Sequence, residues 1–192
     1  MAASTEKPKM KYDENCVIFD TDAVSKFLLN LTEAKRIAKE ISHHLGVYSI
    51  WITPFVRFEY LRTNNKGKKR FAEIKEELSK RFQETTFESD GDKLEFFDNA
   101  AEMACLYRRQ KKKGKEKEKE PSAIDFFHWA LLRRFPTKKY LLTFNIRDFP
   151  ADFFTVNAHF SMKVRSSYEI CYLVSFNKEK FQELYQGYKT LE

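Results

Sequence analysis

The stretch VIFDTDAV, residues 17–24, is a short apolar run that ends in two aspartates separated by one threonine. Similar unbroken apolar runs occur in VYSIWI (47–52) and YLL (140–142), with longer helix-like patterns between them. Runs that are apolar at every position indicate strands buried on both faces. The sequence therefore predicts an α/β fold with three layers, in which helices cover both sides of a central, mainly parallel sheet.

Apolar residues that recur with the period of a helix fill most of the chain between these runs. Thr32 is the predicted N-cap of one helix, and Pro54 occupies the first turn of another. TTFES (85–89) is a candidate for a further short strand, and residues 159–176 read as one or two late strands. The predicted helices are 23–30, 33–44, 54–64, 69–82, 93–112, 122–135 and 177–188.

The length and charge of the chain restrict its class. A chain of 192 residues suits one domain with a substantial core. The net charge of +7 favours a polyanionic partner, with nucleic acid as the first expectation. No glycine-rich loop of the kind that cradles nucleotide phosphates occurs, so a nucleotide cofactor is not expected.

The cysteines and the hydropathy indicate an intracellular protein. The three cysteines, Cys16, Cys105 and Cys171, lie in apolar surroundings without CxxC spacing, which argues against a zinc knuckle and a disulfide framework. The first fifteen residues, MAASTEKPKMKYDEN, hold no apolar stretch of signal-peptide length, and nowhere do about 18 apolar residues run together. We predict a cytoplasmic protein without a membrane span.

Polar side chains accumulate where the predicted strands end. In a parallel sheet these carboxyl ends meet at one edge, where ligands bind. A further acid lies in the first turn of an apolar helix, where an unpaired charge would be costly. Converging carboxylates stay ionised when a hard cation such as Mg²⁺ or Mn²⁺ binds them. The residues concerned are Asp20, Asp22, Thr53, Glu59, Asp125, Thr143, Asn145 and Asp148.

Each acid also has a purely structural interpretation. Asp22 is placed to cap the helix that starts at the next residue. Asp125 follows Ser122 by three positions, which is the spacing of a capping box. Glu59 can pair with Arg62 along its helix or face solvent. Asp148 can cap or turn the chain before the FP that follows it. His128, inside the same apolar helix as Asp125, is predicted to be a core histidine with satisfied hydrogen bonds.

Four segments together resemble a known family. VIFDTDAVSKFLL, ITPFVRFEYLR, PSAIDFFHWALLRRF and LLTFNIRDFP occur in the order and approximate spacing of the four motifs of PIN-domain ribonucleases, particularly the VapC-type toxins. The resemblance covers roughly residues 16–155. Its most specific part, LLTFNIRDF, is similar to the family's strand followed by Thr-x-Asn-x-x-Asp-Phe.

The resemblance implies a single PIN-like domain over 1–192 that hydrolyses RNA as an endoribonuclease with bound Mg²⁺ or Mn²⁺. It further implies a homodimer and a cognate antitoxin protein. A lysine-rich loop at 108–120 and a C-terminal helical extension at 177–192 exceed the family pattern. The implied catalytic and metal-binding quartet is Asp20, Glu59, Asp125 and Asp148, supported by Thr143, Asn145 and Asp22, the last at a position where the family often has Asn.

Basic residues near the predicted site are candidates for contact with the RNA backbone, because cationic side chains offset the repulsion between phosphates and acids. Solvated charged surface is the alternative interpretation. The candidates are Arg57, Arg62, Lys111, Lys112, Lys113 and Lys115.

Two other functions stay open at the sequence level. FDTDAV matches Asp-x-Asp-x-Val, the first motif of haloacid-dehalogenase-type phosphatases, which would make Asp20 a nucleophile. Such enzymes need a later lysine and then a downstream acidic pair, in order, at successive strand ends. The only Gly-Asp with nearby acids, in SDGDKLEFFD, comes before the third strand run and lies in a loop-to-helix pattern. A catalytically silent RNA-binding relative of the PIN domains is the other alternative.

Overall fold

The computed structural model describes residues 14–64, 68–85, 90–111, 120–135 and 137–189. A six-stranded sheet forms its centre, in the order β3-β2-β1-β4-β6-β5. The strands are β1 Asn15–Phe19, β2 Tyr48–Ile52, β3 Gln83–Glu84, β4 Lys139–Thr143, β5 Phe154–Val164 and β6 Ser167–Phe176. The helices are α1 Thr21–Leu29, α2 Leu31–Leu45, α3 Pro54–Asn64, α4 Lys68–Arg81, α5 Asp90–Lys111, α6 Ala123–Arg134 and α7 Lys178–Lys189, with a 3-10 turn at Ile146–Asp148.

The predicted mainly parallel α/β sheet is confirmed. β1 pairs in parallel with β2 and with β4, and β2 pairs in parallel with β3. The other two pairings, β4 with β6 and β5 with β6, are antiparallel. The antiparallel hairpin follows from a two-residue connection between β5 and β6, which is too short for the crossover that a parallel pair requires.

Side-chain alternation along β1 divides the core into two halves. Cys16 and Ile18 face one side of the sheet, where the buried side chains come largely from α5, α6 and α7. Val17 and Phe19 face the other side and pack with residues of α1 to α4. These four of the five β1 side chains are at most 1% exposed. The molecule therefore has the predicted three layers of helices, sheet and helices.

The strand order creates a crevice beside the end of β1. The chain leaves β1 for β2 on one side and returns to β4 on the other, so β1 lies at the point where the connections diverge. In open α/β sheets, this point at the carboxyl edge is where ligands bind. The backbone N–H of Asp20 donates to the carbonyl of Leu142 at 3.2 Å, which holds the residue after β1 against the end of β4.

Several boundaries differ from prediction for local reasons. Asn30, rather than Thr32, caps α2 by accepting from the N–H of Glu33 at 3.2 Å, because it alone separates α1 from α2. A short strand after α4 covers Gln83–Glu84, and Thr85 lies just beyond it, while the other residues of the predicted strand 85–89 lie outside the described residues. The late region 159–176 forms two strands, of which β5 begins already at Phe154.

The predicted C-terminal helix forms as α7 and belongs to the core. Phe181 is 6% exposed, and its ring lies 5.3 Å from that of Phe176 and 6.2 Å from that of Phe153. This helix therefore completes the layer that also contains α5 and α6. In the ranges that the structure describes, no helix has the length and apolarity needed to cross a membrane.

Candidate functional site

A cavity of about 440 Å³ opens at the carboxyl edge of β1 and β4. The four predicted quartet acids all line it, although they come from four separate parts of the chain. Thr21, Glu120 and His128 also line it, although no sequence pattern pointed to them as site residues. The lining residues are Asp20, Thr21, Asp22, Ser25, Glu59, Thr63, Glu120, Ser122, Ile124, Asp125, His128, Asn145 and Asp148.

Asp20 is both the N-cap of α1 and the most buried acid of the cavity. Its Oδ1 accepts from the N–H of Ala23 at 2.6 Å, and its carboxyl group is hydrogen-bonded to the side chain of Thr143. Burial raises the pKa of Asp20 to about 7, and the charges of Asp22 and Asp125 add to this rise, while the two hydrogen bonds oppose it. Near neutral pH this carboxyl group is therefore poised between its protonated and ionised forms.

One interpretation of the sequence predicted that Asp22 caps α1, and this prediction was wrong. The helix already begins at Thr21, one residue after β1 ends, so the cap falls on Asp20. Asp22 lies exposed in the first helical turn, and its Oδ2 is 3.4 Å from Nζ of Lys26. It lines the cavity from the solvent side.

Glu59 reaches the cavity from α3. Thr53 caps this helix, accepting from the N–H of Val56 at 3.1 Å. The hydroxyl of Thr21 donates to Oε2 of Glu59 at 2.5 Å. Glu59 therefore neither faces solvent freely nor depends on Arg62 for its orientation, because a hydroxyl from α1 holds it.

Asp125 forms the predicted capping box at the start of α6, which is confirmed. The N–H of Asp125 donates to Oγ of Ser122 at 3.3 Å, and its Oδ2 accepts from the N–H and the hydroxyl of Ser122, each at 2.7 Å. The same carboxylate lines the cavity. The structural and functional interpretations of Asp125 are therefore compatible.

Asp148 is held by the loop that follows β4. The Nδ2 group of Asn145 donates to Oδ2 of Asp148 at 2.5 Å, and Oγ1 of Thr143 accepts from the N–H of Asn145 at 2.9 Å. The indole N–H of Trp129 donates to the backbone carbonyl of Asp148 at 3.0 Å, which ties this loop to α6. Thr143 and Asn145 are thus hydrogen-bonded to Asp20 and Asp148, respectively.

His128 lies one helical turn after Asp125 and contributes to the same cavity. It is 1% exposed, and neither ring nitrogen has a hydrogen-bond partner among the described residues. Burial lowers the pKa of His128 to about 4, with a partly opposing effect from the charge of Glu59. The prediction that His128 is buried is confirmed, but the prediction that its hydrogen bonds are satisfied was wrong. Each unpaired polar group costs about 1–3 kcal/mol, so packing alone does not account for this residue.

The donor types suit a hard divalent cation, since carboxylate, hydroxyl and amide oxygens are the usual ligands of Mg²⁺. The residues therefore fit such a cation in chemistry and in location at the sheet edge. Within the described ranges, no three His, Cys, Asp or Glu side chains stand close enough together, as placed, to form a metal-binding group.

Neither of the two predicted basic contacts whose side chains the structure describes lines this cavity. Nη1 of Arg57 lies 2.5 Å from Oε2 of Glu84, and Arg57 lines a separate cavity next to β3. Arg62 is exposed on α3. The remaining candidates fall outside what the structure describes, namely the side chain of Lys111 and the residues Lys112, Lys113 and Lys115.

Comparison with protein-family models and with curated proteins gave no match. Among solved structures, the crystal structure of TrmN from Thermus thermophilus matches 84% of this chain and 43% of its own, at 12% sequence identity and a TM-score of 0.27. The chain thus spans less than half the length of that protein. A likeness at this level supports no assignment of fold or function.

Proposed function

We propose that this protein is a Mg²⁺- or Mn²⁺-dependent endoribonuclease that hydrolyses phosphodiester bonds in RNA. The observation that carries the proposal is the meeting of Asp20, Glu59, Asp125 and Asp148 in one cavity at the carboxyl edge of β1 and β4. These acids follow three different strand ends and start one further helix, so no local capping rule brings them together. Ligand sites in α/β sheets lie at this edge.

Each acid of the quartet is oriented by a neutral donor from the protein. The donor is a hydroxyl for Asp20, Glu59 and Asp125, and a side-chain amide for Asp148. Such bonds fix the direction of a carboxylate that binds a metal ion. The pairs, acid first, are Asp20 with Thr143, Glu59 with Thr21, Asp125 with Ser122, and Asp148 with Asn145.

The quartet would hold the cation. When bound, Mg²⁺ or Mn²⁺ supplies the activation of water and the neutralisation of charge on the scissile phosphate. The burial of Asp20 favours cation binding, because an ionised carboxylate in that position needs a positive partner. The quartet does not need to form a covalent bond with the substrate, since water is the nucleophile.

Two properties of the sequence support RNA as the substrate. The four motifs resemble those of PIN-domain ribonucleases of the VapC type, and the net charge of +7 favours a polyanion. By the same resemblance, we propose that the protein acts as the toxin of a toxin-antitoxin pair and forms a homodimer. Co-purification with the product of an adjacent small reading frame, together with suppression of toxicity by that product, would test this role.

The activity is tested with purified protein and a labelled single-stranded RNA. We expect internal cleavage with Mg²⁺ or Mn²⁺ and none with a chelator, whereas a chromogenic phosphomonoester should stay intact. Phosphomonoester turnover that depends on Asp20, without RNA cleavage, would instead identify a phosphatase with an aspartate nucleophile. RNA binding without cleavage under any metal condition would identify a catalytically silent relative.

A further inference from the structure

His128 is the only residue with buried side-chain nitrogen or oxygen atoms that lack a hydrogen-bond partner in the described part of the chain. It lines the acidic cavity together with the quartet. The other three histidines, His43, His44 and His159, are exposed. An imidazole at this location therefore needs an explanation that the other histidines do not.

The geometry of α6 directs His128 to the cavity. Residues three positions apart lie on the same face of a helix, so Asp125 and His128 share one face. The next residue, Trp129, points into the aromatic core, with its ring 4.9 Å from that of Phe126. A leucine at position 128 would fill the same kind of buried space without leaving two polar atoms unpaired.

The state of the imidazole suits metal ligation. Burial keeps the pKa of His128 at about 4, so the ring is neutral at physiological pH. A neutral imidazole has one nitrogen with a free lone pair and one N–H, and only the neutral form binds metals. Glu59 is the carboxylate whose charge acts most on this ring. Carboxylates beside a metal-binding histidine commonly favour the ligating form.

We propose that His128 is a nitrogen ligand of the divalent cation held by the acidic cavity, and that it makes the site selective for transition-metal ions over Mg²⁺. This inference rests on the proposed function, because it requires a cation among the carboxylates. Oxygen ligands suit Mg²⁺ and Mn²⁺, whereas an imidazole nitrogen adds more affinity for Co²⁺ and its neighbours in the transition series. One nitrogen among the oxygens therefore shifts the preference of the site.

The inference is tested directly by pulsed electron paramagnetic resonance of the Mn²⁺-loaded protein. We expect a ¹⁴N coupling from an imidazole in the wild type and its loss in His128→Gln. The exposed His43→Gln serves as the matched control and should keep the coupling. A wild-type spectrum without ¹⁴N coupling, or a coupling that survives in His128→Gln, would overturn the proposal.

Affinity for two cations supplies the second readout. Titration with Co²⁺ and with Mg²⁺ should show that His128→Gln lowers the ratio of the two affinities by about tenfold or more, with Mg²⁺ affinity changed far less. His128→Leu should give the same ratio, and it retains the buried volume if the glutamine variant folds poorly. An unchanged ratio with intact Mg²⁺ binding would refute the role of His128 alone. Absence of binding of either ion to the wild type would refute the metal-dependent function as well.

Discussion

Asp20 combines two tasks that make opposite demands on its charge. As the N-cap of α1 it accepts a hydrogen bond from Ala23, which favours the ionised form. As the most buried acid of the cavity it is desolvated, which favours the protonated form and raises its pKa to about 7. Without a cation, the protein therefore loses stability when this group ionises.

The first prediction is that Asp20→Asn changes the pH dependence of stability in the presence of a chelator. The folded pKa of about 7 lies above the unfolded value of 3.8, so protonation stabilises the fold. The wild-type contribution falls as the pH rises from 3.8 to 7 and is constant above it. Relative to the wild type, Asp20→Asn should gain about 3 kcal/mol in free energy of unfolding between pH 5 and pH 8. Asparagine keeps the cap.

Urea unfolding at several pH values measures this gain. His128 has the opposite effect, because its folded pKa of about 4 lies below the unfolded value of 6.5, and stability is lost as the pH falls through that interval. The difference between the wild type and Asp20→Asn largely removes this contribution, which both proteins share. A difference that does not change from pH 5 to pH 8 would show that Asp20 titrates normally.

At the scale of elements, the capping box at the start of α6 joins two residues that we expect to contribute differently to stability and to cleavage. Ser122 and Asp125 form one capping box, but Asp125 supplies the negative charge of the cavity. Ser122→Ala should lower the free energy of unfolding by about 1 kcal/mol, because the side-chain cap is lost. RNA cleavage should be largely retained, because the backbone N–H of Ser122 still donates to Oδ2 of Asp125 and keeps it oriented. Asp125→Asn should change stability less, because an amide oxygen still accepts from the backbone of Ser122. The same substitution should abolish most cleavage, because it removes the negative charge from the cavity.

Urea unfolding and cleavage rates are measured on both variants. They check that Ser122→Ala mainly loses stability and that Asp125→Asn mainly loses cleavage. If Asp125→Asn loses at least as much stability as Ser122→Ala and still cleaves RNA, Asp125 is a capping residue alone. The comparison is well matched, since both substitutions affect the hydrogen bond between the hydroxyl of Ser122 and Oδ2 of Asp125.

The contact between α1 and α3 allows a further prediction. The hydroxyl of Thr21 is the donor that orients Glu59. Thr21→Val keeps the branched shape and removes the hydroxyl, so we expect cleavage to fall about 10- to 100-fold, as with other groups that orient metal ligands. Thr21→Ser is the control and should retain most of the rate. Equal rates in the wild type and Thr21→Val would show that Glu59 does not need this bond.

At the scale of the whole molecule, the sequence predicted that the acids gather at one edge of the sheet. This was possible because parallel strands all end at the same edge. Apolar runs identified β1, β2 and β4, and parallel pairing brings their carboxyl ends together. The contacts within the site could not be predicted in the same way. The bond from Thr21 to Glu59 joins residues 38 positions apart and depends on how α1 and α3 pack.

Predictions of local details were wrong where the position or the partner of a single residue decides the outcome. Whether Asp20 or Asp22 caps α1 depends on whether the helix starts at Thr21 or Ala23, a difference within the uncertainty of any periodicity. The pattern of α6 correctly indicated that His128 is buried, but burial does not reveal whether a partner is present. The antiparallel hairpin at the sheet edge likewise depends on the tight turn at residues 165 and 166.

The most direct test of the metal-dependent nuclease is the single-turnover cleavage rate of one labelled RNA with saturating Mn²⁺. Asp148→Asn removes a charge from the cavity, and the exposed Asp152→Asn removes the same charge from the adjacent turn as a control. We predict that the cleavage rate falls at least about 100-fold in Asp148→Asn and stays at the wild-type value in Asp152→Asn. Equal rates for the three proteins, or a wild-type rate that persists with chelator, would contradict this prediction.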